Sequence, residues 1–106
     1  MSGWARVSPI DRLPEGRGVL VEIGSERIAV FRFGDEALAV ADRCSHAEAS
    51  LSEGEVFDGH VECPRHGAEF DLKTGIPASL PATKPVAVYP TRVADGDVYL
   101  LLEEDE

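Results

Sequence analysis

The chain has 106 residues, and 20 acidic side chains against 10 basic ones give it a formal net charge of −10. This length fits one domain, residues 1–106, with no room for a second. The acidity makes nucleic acid a poor partner, and no segment has the apolar length of a membrane span. Apolar residues make up 43% of the chain, enough for one modest core of marginal stability.

Residues 1–10 hold no apolar run that would serve as a signal peptide. Residues 19–23 and 28–33 are β-branched and aromatic runs with the turn Gly24-Ser25 between them. Gly34-Asp35 then turns the chain into Leu38-Ala39-Val40. Asp58-Gly59 separates Glu55-Val56-Phe57 from Val61-Glu62-Cys63, and Asp95-Gly96 separates residues 86–93 from 98–102. Both dipeptides are hairpin signals. Pro77, Pro81 and Pro85 make residues 76–85 a loop. No segment carries an amphipathic helical stripe, and the acidic run 103–106 reads as a solvated, frayed tail. The expectation is an all-β chain of two small antiparallel sheets, forming a sandwich or barrel.

The chemistry lies in two short segments, Cys44-Ser45-His46 and Cys63-Pro64-Arg65-His66, which use both cysteines and two of the three histidines. Each offers one thiolate and one imidazole. Cys44 and His46 are too close in sequence to be helical neighbours, but an extended segment or a tight loop can aim both at one centre. Pro64 fixes its own φ and restricts Cys63, and Gly67 allows a backbone angle that other residues avoid. Each segment therefore reads as a loop tip, and two such tips can clamp one metal centre. Zinc accepts two Cys and two His in a tetrahedron, but its usual spacing groups like ligands together. Here each half mixes the two. A third possibility is two small core cysteines with no metal.

The residues resemble the Rieske motif, in which two cysteines hold one iron of a [2Fe–2S] cluster and two histidines hold the other. The resemblance runs through Cys44-Ser45-His46-Ala47 and the nine residues from Cys63 to Asp71. It continues in the turn Leu72-Lys73-Thr74-Gly75 and the proline-containing loop Leu80-Pro81-Ala82, and covers nearly the whole chain. It implies a Rieske fold with the cluster loops as a subdomain of about residues 42–82. It also implies one cluster per chain, ligated by Cys44, His46, Cys63 and His66, with the electron entering and leaving on the histidine side. Binding free energy is then folding free energy, so the apo form should be loose over 42–82.

In the high-potential branch of that family each loop carries a further cysteine and the two form a disulfide. This chain has Ala49 and Arg65 there. The same branch donates hydrogen bonds to the cluster from a serine and a tyrosine, where this chain has Ala68 and Phe70. Missing donors leave the reduced cluster less stabilised. The resemblance thus implies a potential towards the low end of the Rieske range of roughly −150 to +300 mV.

The implied function is a one-electron carrier, not an enzyme by itself. It would pass electrons from a flavin-dependent NAD(P)H reductase to the terminal oxygenase of a hydroxylating system. Electron-transfer encounters are small and transient, so a monomer is expected. With no anchor and no cysteine left for a disulfide, the expected location is the cytoplasm. Alternatives are an accessory protein of iron–sulfur cluster assembly, a nitrite reductase small subunit and a zinc-stabilised interaction module. His60 reads as an exposed turn histidine, Trp4 as an aromatic packed on the barrel, and Glu48, Glu53, Glu55, Glu62 and Glu69 as surface charge.

Overall fold

The structure, a computed structural model, describes residues 3–43, 49–65, 67–78 and 84–102. Among these are ten strands and two short 3₁₀ turns. The strands are β1 (Trp4–Pro9), β2 (Gly18–Ile23), β3 (Glu26–Phe33), β4 (Glu36–Ala41), β5 (Val56–Phe57), β6 (His60–Glu62), β7 (Glu69–Asp71), β8 (Val88–Tyr89), β9 (Thr91–Ala94) and β10 (Asp97–Leu101). They form three antiparallel sheets, ordered β1-β10-β9, β2-β3-β4-β8 and β5-β6-β7.

The middle of β3 explains how the sheets stack. Ile28, Ala29, Val30 and Phe31 are all fully buried, although successive residues of a strand point to opposite faces. Ile28 and Val30 pack in one core cluster with Val98 and Leu100 of β10. Ala29 and Phe31 pack in the other with Val61 of β6 and Phe70 of β7. In β4, Ala39 and Val40 divide between the same two clusters. The four-stranded sheet is therefore covered on both faces, which is why its central strand is continuously apolar instead of alternating.

The all-β expectation holds, but three sheets replace the expected two. The third arises because Glu69–Asp71, read from sequence as part of a ligand segment, pairs with β6 in the register Val61↔Phe70 and Glu62↔Glu69. The expected strand over 86–93 is two strands in different sheets. Pro90 has no N–H to continue a ladder, so β8 ends at Tyr89 on β4 and β9 starts at Thr91 on β10. Trp4–Pro9 carries no strand signal in the sequence but forms β1. This segment pairs with β10 from Trp4↔Leu101 to Pro9↔Asp97, with a register shift between Arg6 and Ser8. None of its residues is fully buried, so it carries little hydrophobic signal.

Both Asp-Gly hairpins form. Asp58 and Asp95 are the two non-glycine residues with positive φ among those described, at 52° and 53°, as a two-residue turn of the primed type requires. The acidic tail 103–106 lies outside the described residues. No helix among them is long and apolar enough to cross a membrane.

Candidate metal centre

Cys63 follows β6 directly, and its placement is set by the β6–β7 hairpin. Its amide donates to the Ala68 carbonyl at 2.6 Å, and the Gly67 amide donates back to the Cys63 carbonyl at 3.0 Å. The connection is thereby closed into a tight tip with Pro64 and Arg65 exposed. Gly67 has φ +77°, and a Cβ there would approach the Glu62 carboxylate at 3.2 Å; its bare backbone lets the tip turn back into β7.

The Cys63 side chain points inward. It is 1% exposed, and Ala68, Phe70, Leu51 and Leu72 of the same cluster are fully buried. The positions expected to lack hydroxyl donors, Ala68 and Phe70, thus lie in the core that holds the cysteine. Beyond β7, the Asp71 carboxylate accepts from the amides of Lys73 (2.7 Å) and Thr74 (3.1 Å). These bonds, the Lys73 amide foremost, hold its pKa below the ordinary aspartate value. The chain then runs back beside β7, with Ala78 donating to Glu69 at 2.7 Å and Pro77 bridging Phe70.

The chain leaves the sheet at the end of β4, ahead of the first candidate ligand segment. The flanking stems meet in an isolated bridge between Arg43 and Ser50, and the Leu51 amide donates to the Asp42 carbonyl at 2.7 Å. Leu51 belongs to the same core cluster as Cys63, and Ala49 packs against it. Leu51 beyond the first segment and Cys63, Ala68 and Phe70 of the second hairpin therefore share one apolar core, although they are separate in sequence.

Of the four expected ligands, Cys63 is described. Cys44, His46 and His66 lie outside the described residues, as do Glu48 and Leu80-Pro81-Ala82. Glu53 and Glu55 are exposed, as expected of surface charge, whereas Glu62 and Glu69 are half-buried register partners across β6 and β7. His60, expected at a turn, is instead the first residue of β6, half-exposed, with Nε2 3.7 Å from the Asp71 carboxylate. Trp4 lies in β1 with the Arg92 guanidinium 5.4 Å from its ring centroid. Sequence reasoning missed Asp42, a fully buried carboxylate two residues before Cys44. The signal was an acid between the apolar end of β4 and the ligand segment.

An iron–sulfur cluster is held through thiolates, and the one described thiol, Cys63, is shielded from water as such a ligand requires. The described thiol is buried among hydrocarbon at the root of a surface tip, and Leu51 and Ala49, just beyond the first candidate segment, pack in the same core. Residues 3–90 match the family model of the Rieske [2Fe-2S] domain.

The chain belongs to the Rieske family.

Its cofactor is accordingly a Rieske-type [2Fe–2S] cluster. The chain is 47% identical over 98 residues to the anthranilate 1,2-dioxygenase ferredoxin subunit of Burkholderia cepacia, covering 92% of this chain and 91% of that one. The carbazole 1,9a-dioxygenase ferredoxin of Nocardioides aromaticivorans superposes with a TM-score of 0.90 at 34% identity, covering 93% of this chain and 97% of that chain. A ferredoxin chain similar to this Rieske protein occurs in a complex of reduced oxygenase and oxidized ferredoxin of carbazole 1,9a-dioxygenase. Its TM-score is 0.85 and its identity 39%, with 91% of this chain and 99% of that chain covered.

Proposed function

We propose that this chain is the electron-carrying ferredoxin of a ring-hydroxylating dioxygenase system, a single domain with Cys44, His46, Cys63 and His66 as the cluster ligands. When bound, the cluster accepts and returns one electron. The observation that carries the reading is the shared core. Cys63, Ala68 and Phe70 of the second ligand hairpin pack in one cluster with Leu51 from the exit of the first, so both ligand segments are rooted at one place. The resemblance to dioxygenase ferredoxin subunits over nine-tenths of the chain supports the same role.

The chain's own part is to hold, shield and present. Leu51, Phe70 and Leu72 exclude water from the Cys63 side, which raises the energetic weight of each charge there. The exposed Pro64 and Arg65 place the hairpin tip at the surface, where a partner can approach. The proposed donor is a flavin-dependent NAD(P)H reductase and the proposed acceptor a terminal oxygenase. The proposed working form is a monomer in the cytoplasm. A net charge of −10 steers such a carrier towards basic patches and makes the encounter salt-sensitive.

The test is anaerobic reduction of a dioxygenase terminal component by NADH and a flavin reductase, followed optically with and without this chain. Reduction that depends on the chain, and slows with added salt, is expected. An oxygenase reduced equally fast without it would overturn the carrier role.

A further inference from the structure

Asp42 is the one fully buried charged side chain among the described residues, 1% exposed. Burying a carboxylate is costly unless it is paired and hydrogen-bonded, so its partners show what it serves. Its Oδ2 accepts from the Ser50 hydroxyl, and its Oδ1 accepts from the Ser52 amide at 2.9 Å. The Arg27 guanidinium, on β3, lies 3.8 Å from Oδ2, and Ser50 and Ser52 share a hydroxyl contact at 3.0 Å. The backbone of Asp42 is committed as well, its amide donating to the Arg27 carbonyl at 3.0 Å and its carbonyl accepting from Leu51.

Every side-chain partner except Arg27 stands on the returning stem of the first ligand segment. The β3–β4 register from Ile28↔Ala41 to Phe33↔Glu36 is complete without this carboxylate, so the sheet does not need it. It does join the outgoing stem at residue 42 to the returning stem at residues 50–52. The chain from Asp42 to Cys44 spans at most about 7 Å however it is folded, so a charge at Asp42 is also a charge near whatever Cys44 holds.

We propose that Asp42 is a positioning residue for the cluster. It locks the two stems of the first ligand segment together, so that Cys44 and His46 are held in place, and its buried negative charge lowers the midpoint potential. The proposal rests on the reading of Cys44 and His46 as ligands. Adding an electron beside a fixed negative charge is disfavoured, most strongly where water is excluded.

The test uses Asp42→Asn in the intact holoprotein, with Ser50→Ala as a milder second variant. Asparagine keeps the shape and an acceptor for the Ser52 amide but removes the charge. Redox titration should place the midpoint of Asp42→Asn above that of the parent. Iron release to a chelator should be faster in both variants, and fastest in Asp42→Asn. An unchanged midpoint together with unchanged iron release in Asp42→Asn would overturn the proposal while leaving the ligand reading intact. A parent protein with no Rieske resonance would instead overturn the ligand reading and this inference with it.

Discussion

The Cys63 amide and the Ala68 carbonyl are joined at 2.6 Å, and both side chains are buried in one apolar cluster. The β6–β7 hairpin thus opens and closes on the same rung, with a cysteine on one side and a methyl group on the other. Alanine at that position makes the second side of the cysteine's environment hydrocarbon, without a donor that could stabilise added negative charge.

Restoring a donor should therefore raise the potential. For Ala68→Ser and Phe70→Tyr each, one hydrogen bond of net value about 0.5–1.5 kcal/mol corresponds to roughly 20–65 mV for one electron, since a tenfold change in equilibrium is about 59 mV. A redox titration of the two variants should show upward shifts of that size. Midpoints equal to or below the parent's would mean that the hydroxyls do not reach the cluster.

Gly54 lies against β6, and a Cβ there would fall on the Glu62 carbonyl oxygen, one residue before Cys63. Backbone cannot move aside as a flexible side chain can. Gly54→Ala should cost about 1–3 kcal/mol, the usual range for overpacking, and lower the iron content of the purified protein. Thermal unfolding checks the first effect and iron analysis the second. A variant with the parent's melting temperature would show that the β5–β6 corner yields easily.

Asp71 gives a pH signature. Its pKa in the folded protein is depressed, first by the Lys73 amide and also by the Thr74 amide and His60. A depressed carboxyl favours the folded state when ionised. That contribution is fully present above the ordinary value of 3.8 and is lost as pH falls through the lower folded value. Asp71→Asn keeps an acceptor for both amides but cannot titrate. Denaturant unfolding followed downwards from pH 5 should show the parent losing more stability than the variant. Parallel curves would remove Asp71 from the acid limb.

Removal of iron should affect the two halves of the molecule differently. The cluster formed by Ile28, Val30, Val98 and Leu100 includes none of the ligand hairpin, whereas Cys63 is itself part of the other. Limited proteolysis of apo protein should cut within residues 42–82 and spare β1–β4 and β10. Equal resistance with and without iron would contradict the link between loading and order in that region.

Much of the fold was legible because its signals are local. Asp58-Gly59 and Asp95-Gly96 announce hairpins through a backbone geometry few other dipeptides tolerate, and both form. The unbroken apolar run from Ile28 to Phe31 marks a strand, but no local pattern reveals that its two faces serve two different cores. Strand β1 escaped notice because its residues are only partly buried. The division of 86–93 turned on Pro90, which breaks one ladder and lets the chain start another. At the site, the pairing of a cysteine with a histidine in each of two short segments is visible from residue types alone. Asp42 is not, since a single acid at a strand end resembles any surface carboxylate until its burial is known.

Cys44, His46, Cys63 and His66 are proposed to hold a mixed-ligand [2Fe–2S] cluster together. The most direct test is the electron paramagnetic resonance spectrum of the purified protein after dithionite reduction, with the absorption spectrum recorded beforehand. A brown protein whose reduced signal has a low average g, as expected when histidines ligate one iron, is the predicted result, and it should vanish in His46→Ala and His66→Ala. A colourless protein containing zinc would contradict the claim and make the chain a structural module.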